Sequence, residues 1–405
     1  LEEAAVKTLR HIVQFVFLGL VLWVGLSLAL GWSRSSVEDY CPMGGLAALP
    51  ALLGTGRFSC STGEANLAAL VALVLLALLA RKSFCAWLCP LGTVLEWFGR
   101  LGARLRGKRG ARPTDVGAFC PSPRPDAAAR WLRLAVLGVI VAATFATSEL
   151  VFRPYCPYYS LASFHGHDME FWSYGLLAAV LLGAVLLPLA WCRYLCPLGG
   201  ALWPLARSGR LRIARAAEAC TGCGRCDRAC PHGLRPSTGP EVRSGECTLC
   251  LECRAACPEA GALELQARAF GWRRRVPGAA VPGLVGGLAL AAYVGSGWFA
   301  LPSYVWEPPE PVSSSNQAEV SLVVEGVRCV DAARLAIAQL EKVPGIVRVT
   351  AYASRHTLEV VYDTSRVEAE SLRRALEAPL IDPDSGQIRF HVYKVRQIDG
   401  RAVGD

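Results

Sequence analysis

The chain has 405 residues, of which 53% are hydrophobic and 19% charged, with a formal net charge of +9 and 17 cysteines. This composition argues against an ordinary soluble protein, and the length and apolarity exclude a small disulfide scaffold. The basic residues cluster beside apolar runs, which is the pattern of membrane topology, so no nucleic-acid partner is expected.

About 20 apolar residues cross a bilayer core. Five segments are expected spans: 12–30, 65–80 with an extension at 84–88, 131–147, 171–191 and 279–301. The first continues from His11 to Gly31 without a cleavage pattern and is expected to anchor the chain rather than be removed. Between the second and third spans lie Arg100, Arg104, Arg106, Lys108, Arg109, Arg112, Arg124 and Arg130, and Arg273, Arg274 and Arg275 precede the fifth. The alternate loops hold only Arg34, Arg57 and Arg153. This bias predicts a multi-pass protein of the inner membrane with its N-terminus inside and everything after Pro302 in the periplasm.

The membrane part repeats itself. Cys41, in a Tyr-Cys-Pro run, follows the first span, and Cys156 follows the third in the same run. The second span closes on Cys85-x-x-x-Cys89-Pro90-Leu91-Gly92 and the fourth on Cys192-x-x-x-Cys196-Pro197-Leu198-Gly199. Both halves cross in the same sense, so the repeat is parallel, with the two motifs at equal depth. Cysteines four apart share a helix face, and the proline is expected to end the helix. The four thiols either hold a metal or a third cluster, with sulfur ligation suited to iron or zinc, or serve as inert helix packing. Cys41 and Cys60 share the outer loop and could pair or be redox-active, whereas Cys120 in the basic loop is expected to be a free thiol. His165 and His167 beside Asp168 could bind metal or accept protons from quinol, or could be an ordinary solvated loop.

The most specific motif follows the fourth span. Cys220, Cys223, Cys226 and Cys230-Pro231 are repeated in spacing by Cys247, Cys250, Cys253 and Cys257-Pro258. This is the bacterial two-cluster ferredoxin run, in which the fourth cysteine ligates the other cluster. One [4Fe–4S] cluster is then expected on Cys220, Cys223, Cys226 and Cys257, and the other on Cys247, Cys250, Cys253 and Cys230. Gly222, Gly224 and Ala229 are small enough to let the chain wrap closely.

On these motifs, residues 10–270 resemble the polyferredoxin membrane family, which includes NapH-, NosR- and CcoG-type proteins. The resemblance implies electron transfer between quinol or cytoplasmic donors and metal centres or periplasmic partners. No flavin-binding domain is expected before the first span, unlike a full NosR-type chain.

Residues 303–316 read as a linker, rich in proline and then serine. Beyond it the pattern predicts strands at 319–325, 347–352, 357–362 and 388–395 and helices at 329–342 and 368–377. That βαββαβ order is a ferredoxin-like sandwich. Gly326, Cys329, Gly345 and Asp363 sit in runs that resemble heavy-metal-associated domains. The resemblance implies a copper-type ligand at Cys329, yet Ala332 stands where that family has its second cysteine. The alternative is a docking module.

The expected architecture is therefore an α-helical membrane protein of about five spans (1–200, then 271–302 for the fifth), an α+β two-cluster ferredoxin domain (201–270) and an outer βαββαβ domain (317–400). The leading functional expectation is an oxidoreductase-type component passing electrons between cytoplasmic clusters and a membrane or periplasmic acceptor, with a metal ion or metalloprotein favoured. Two alternatives remain: a quinol-oxidising subunit feeding a periplasmic reductase, and a non-catalytic redox-sensing assembly factor. The membrane, a redox partner protein or quinone, and copper or another metal are the expected partners.

Overall fold

The computed structural model of the chain describes residues 2–30, 41, 43–46, 49, 64–106, 116–121, 123–147, 152–163, 171–269, 272–296, 298, 302–309, 316–327, 330–381, 388–390 and 393–402. The expected sites at Cys60, His165, His167 and Cys329 lie outside these residues. The chain divides into two compact units, Leu1–Val37 with Ala69–Tyr293 and Glu38–Ala68 with Val294–Asp405.

In chain order the helices are α1 (Glu2–Ala29), α2 (Glu64–Ala80), α3 (Ser83–Trp87), α4 (Pro90–Leu105), α5 (Pro123–Ala129), α6 (Leu132–Thr147), α7 (Pro157–Ala162), α8 (Phe171–Leu186), α9 (Ala190–Tyr194), α10 (Pro197–Ser208), α11 (Arg225–Ala229), α12 (Glu252–Ala255), α13 (Ala280–Ser296), α14 (Val330–Leu340) and α15 (Ala369–Glu377). Each expected span contains an apolar helix. Among the described residues, Ala5–Ser27 and Pro125–Ala146 are long and apolar enough to cross a membrane, while α2, α8 and α13 are apolar but shorter. A helix of 16 residues, such as α8, rises roughly 24 Å. Ile12, Phe15, Val16, Leu20 and Trp23 on α1 are each more than half exposed. Such a face is unfavourable in water by about 25 cal/mol per Å².

The extensions of the second and fourth spans are not continuous helix. Arg81 (φ 58°) and Leu189 (φ 55°) take the left-handed conformation and break the run. The short helices α3 and α9 follow these breaks. The prolines also act opposite to expectation. Pro90 and Pro197 begin α4 and α10, and Cys89 and Cys196 are the extended N-cap residues before them. Proline suits the first helical turn, where its missing N–H would have no partner anyway. Each N-cap sulfur accepts a hydrogen bond at 3.4 Å, Cys89 from Gly92 N and Cys196 from Gly199 N. The cysteines of each pair therefore sit on two helices, not on one face of one.

Helix α4 packs tightly against α8. A Cβ on Gly102 would lie 1.9 Å from the Val185 carbonyl oxygen. Arg106 donates to that oxygen at 2.8 Å and to Leu186 O at 2.6 Å. Because the obstacle is backbone, Gly102→Ala is expected to cost about 1–3 kcal/mol, read as a lower thermal midpoint in detergent.

After α10 the chain forms an antiparallel sheet of β1 (Leu211–Arg215), β2 (Leu263–Ala269) and β3 (Trp272–Arg275), in that order. The two cysteine runs lie between β1 and β2. Arg273, Arg274 and Arg275, expected only as juxtamembrane charge, form the exposed edge strand with Trp272.

The second unit contains β4 (Tyr304–Trp306), β5 (Gln317–Glu325), β6 (Ile346–Tyr352), β7 (Thr357–Asp363), β8 (Lys394–Ile398) and β9 (Arg401–Ala402), hydrogen-bonded in the order β9-β8-β5-β7-β6-β4. Val320, Leu322, Val324, Val349, Leu358 and Val360 form its core with Ile337 and Leu340 of α14 and Leu372 and Leu376 of α15. The strand paired to β5 begins at Lys394 rather than 388, and Ile388–Phe390 instead pairs with Leu380–Ile381. Alternation runs through both segments, so the pattern could not choose between them; Tyr393 and Val395 are the residues buried in the core.

Candidate functional site

The cysteine runs fold into two cradles. The first is lined by Cys220, Cys223, Cys226 and Cys257. The second is lined by Cys230, Cys247, Cys250 and Cys253 together with His232 and Leu251. The grouping is crossed: each run lends its fourth cysteine to the other run's cradle.

The local backbone explains the shape. Gly222 (φ 69°) and Gly224 (φ 64°) flank Cys223, and Leu249 (φ 48°) and Leu251 (φ 62°) flank Cys250, all in the left-handed region. Alternating left- and right-handed residues turn successive backbone N–H groups toward one concave side, which favours an anion. Glycine does this freely, whereas a leucine gives up about 1–2 kcal/mol. The leucines are held there by burial, at 1% and 6% exposure. Leu249 O also accepts the indole N–H of Trp87 at 3.1 Å.

This donor set fits iron–sulfur clusters. Tetrahedral zinc thiolates stand roughly 3.8 Å apart, from a Zn–S length of about 2.3 Å. Among the described residues no three such side chains converge closely enough for a single ion. Four thiols spread around a cavity lined by N–H groups suit a larger cube.

The second cradle is the one bonded to the Cys-x-x-x-Cys-Pro motifs. Arg10 of α1, 1% exposed, donates to Ala86 O at 3.2 Å, Cys250 O at 3.4 Å and Glu252 at 2.8 Å, and also to Glu96. Gln14 adds a bond to Ala86 O at 2.9 Å, and Arg100 joins Glu96 and Glu252 at 2.7 and 2.9 Å. Ala86 and Trp87 lie inside the first Cys-x-x-x-Cys motif, and Cys250 and Glu252 lie on the second cradle's loop.

The other motif reaches the same cradle from the opposite half. Arg193, beside Cys192, donates to Pro231 O at 3.1 Å, to Asp126 at 3.1 Å and to the Cys120 sulfur at 2.9 Å. Cys120, expected only as a thiol of the basic loop, is engaged by a guanidinium. Glu246, one residue before Cys247, accepts Lys82 at 3.0 Å and Arg133 at 2.9 Å. Burial alone would raise the Glu246 carboxyl, but the Arg133 hydrogen bond and the Lys82 charge hold it down at about 2. His232, half-buried beside Arg193, is pushed down to about 3 by desolvation and by that neighbouring charge, and stays neutral.

Cys85, Cys89, Cys192 and Cys196 come within electrostatic range of one another. They are surrounded by apolar packing from Leu91, Leu95 and Trp191 on one side and Leu73 and Leu202 on the other. Cys156 is the N-cap of α7, and Cys41 O accepts a hydrogen bond from Asn66 at 3.0 Å. Sequence reasoning missed Arg10, Arg81, Trp87, Arg193 and Glu246. The available signal was a buried charge or indole next to a cysteine motif, at an apolar run's end.

A family profile described as "4Fe-4S binding domain" matches twice, at residues 62–109 and 170–213, and one described as "4Fe-4S dicluster domain" matches 212–258. YccM of Escherichia coli K12, a protein named for electron transport, is 31% identical over 240 residues, covering 56% of this chain and 62% of that one. The ferredoxin-type protein NapH of the same organism is 27% identical over 267 residues, 62% of this chain and 86% of NapH. The regulatory protein NosR of Pseudomonas aeruginosa is 29% identical over 182 residues, 44% of this chain and 24% of NosR. No solved structure matches.

Proposed function

Since the chain belongs to a polyferredoxin-like family of 4Fe–4S proteins, we propose that it is a membrane-bound electron-transfer protein with a [4Fe–4S] cluster in each cradle. Cys220, Cys223, Cys226 and Cys257 would hold one cluster, and Cys230, Cys247, Cys250 and Cys253 the other. Such groups supply one-electron redox chemistry, and the protein's contribution is to set where they stand. The observation that carries the reading is the bonding of the second cradle to both Cys-x-x-x-Cys-Pro motifs, through Trp87 and Arg10 on one side and Arg193 on the other. In the first cradle Cys223 is open to solvent. This gives the ferredoxin part an outward side for a soluble partner and an inward side facing Cys85, Cys89, Cys192 and Cys196, which we assign to a third redox site.

We place the ferredoxin part in the cytoplasm and residues 317–400 outside, on the charge bias of the loops. The acceptor we favour is a metal ion or metalloprotein near the outer face. The βαββαβ order of the second unit, the order of metal-chaperone domains, supports this choice.

Iron and sulfide analysis of purified protein is expected to give at least about eight irons per chain, the content of two cubes, and clearly more if the third site is filled. In anaerobic stopped flow, dithionite-reduced protein should be reoxidised by Cu(II), at least tenfold more slowly in Cys85→Ser or Cys192→Ser. Reoxidation by a menaquinone analogue alone would make the acceptor a quinone and remove the metal reading. Fewer than about four irons would remove the two-cluster reading itself.

A further inference from the structure

Arg81 is an unusual residue for its position. It ends the second apolar run, it is 1% exposed, and its backbone holds φ 58°. A left-handed conformation costs a side chain other than glycine about 1–2 kcal/mol. The second half of the repeat has Pro188 at the corresponding place, four residues before Cys192, so the arginine is not a feature of the repeat.

The side chain points toward the second cysteine run. Its Nη1 donates to Ser244 O at 2.7 Å, the same oxygen that accepts the backbone N–H of Cys247 at 3.2 Å. Gly209 lets the stem pass, since a Cβ there would lie 2.6 Å from Arg81 Cγ. The guanidinium lies within electrostatic range of the Cys247 sulfur. Yet Nε and Nη2 are buried without a hydrogen-bond partner.

A buried cation with two unused N–H groups is costly unless an anion meets it. Glu241 is taken by Arg212, Arg243 and Arg268, Glu246 by Lys82 and Arg133, and Glu252 by Arg10 and Arg100. What remains nearby is the second cradle, where a cluster with four thiolates would be a net anion.

Resting on the reading that this cradle holds a cluster, we propose that Arg81 sets the reduction potential of the second cluster by presenting its free N–H groups and charge at Cys247. Reduction adds one electron and one unit of negative charge to the cluster. A fixed guanidinium stabilises that form more than the oxidised one, so it raises the potential, as hydrogen bonds to cluster sulfur do. Arg81 is a positioning residue and carries no electron. The partners of Arg81, Ser244 and Cys247, belong to the second cysteine run, so the effect should fall on that cluster.

The test is a potentiometric titration of the whole protein followed by EPR, comparing Arg81→Gln and Arg81→Lys with the native chain. In Arg81→Gln the second cluster should be about tenfold harder to reduce, a fall of about 59 mV for a one-electron couple, with the first cluster unmoved. Arg81→Lys, which keeps the charge, should recover part of the shift. Equal midpoints in all three proteins would overturn the proposal, as would an equal shift of both clusters. Loss of the second signal in both variants with the first intact would make Arg81 a structural support only, and would also overturn it. Absence of a second cluster signal from the native protein would instead remove the two-cluster reading on which the proposal rests.

Discussion

Cys257→Ser is expected to remove the same cluster as Cys220→Ser, and Cys230→Ser the same cluster as Cys247→Ser. Cys257 lies 37 residues beyond Cys220, and within ten residues of three cysteines that line the other cradle. A local arrangement would group the variants by run, with Cys230→Ser and Cys220→Ser losing one cluster together. The crossed grouping comes from the cavities themselves, since Cys257 lines the first and Cys230 the second. A serine hydroxyl is a harder and weaker ligand than a thiolate, so each variant should lose about half of an eight-iron complement. Iron counts alone cannot separate the two arrangements; the identity of the surviving EPR signal does. If Cys230→Ser and Cys220→Ser leave the same signal, the crossed arrangement is wrong. The two cradles should also differ in robustness. Cys223 is exposed while Cys230 and Cys253 are buried, so the first cluster is expected to be lost sooner on exposure to air.

The cysteine sites were legible in the sequence for a physical reason. A cluster is gripped by a short loop, so its ligands recur at close, fixed spacing that no tertiary context can disguise. The five apolar runs were legible for a similar reason, because their composition is local. What escaped depended on partners distant in sequence. Arg10 meets Cys250 and Glu252 across 240 and 242 residues, and no spacing rule announces that. Leu249 and Leu251 escaped because leucine gives no sign of a left-handed backbone; only the parallel with Gly222 and Gly224 could have suggested it. Proline was misread because it disfavours a helix interior and favours a helix start, and Cys89-Pro90 could be either. The structure resolves this through the sulfur bonded to Gly92 N, which makes Cys89 a cap.

The same distant partners give Glu246 the second large expected effect. Its carboxylate is 4% exposed, and the cations around it are as deeply placed, Lys82 at 3% and Arg133 at 2%. Arg130 adds a third charge at 3.9 Å. Replacing a buried ion network with apolar residues of matching shape can be neutral, but removing one member leaves the others uncompensated, at about 3–5 kcal/mol. Glu246→Gln keeps the shape and removes the charge, so it isolates this term. A marked fall in the thermal midpoint in detergent is expected, together with loss of the second cluster's signal before the first, because Glu246 adjoins Cys247. The sign with pH follows from its depressed folded value. The stabilisation is complete above the ordinary value of 4.5 and is lost as pH falls toward about 2. The gap between native and Glu246→Gln proteins should therefore be full at pH 7 and narrow below 4.5. Adding Lys82→Met to Glu246→Gln removes one stranded cation, so the double variant should be more stable than the sum of the single losses allows. Strict additivity would mean that the two side chains do not act as a pair, and that something other than this network holds the second cradle against the Cys-x-x-x-Cys-Pro motifs.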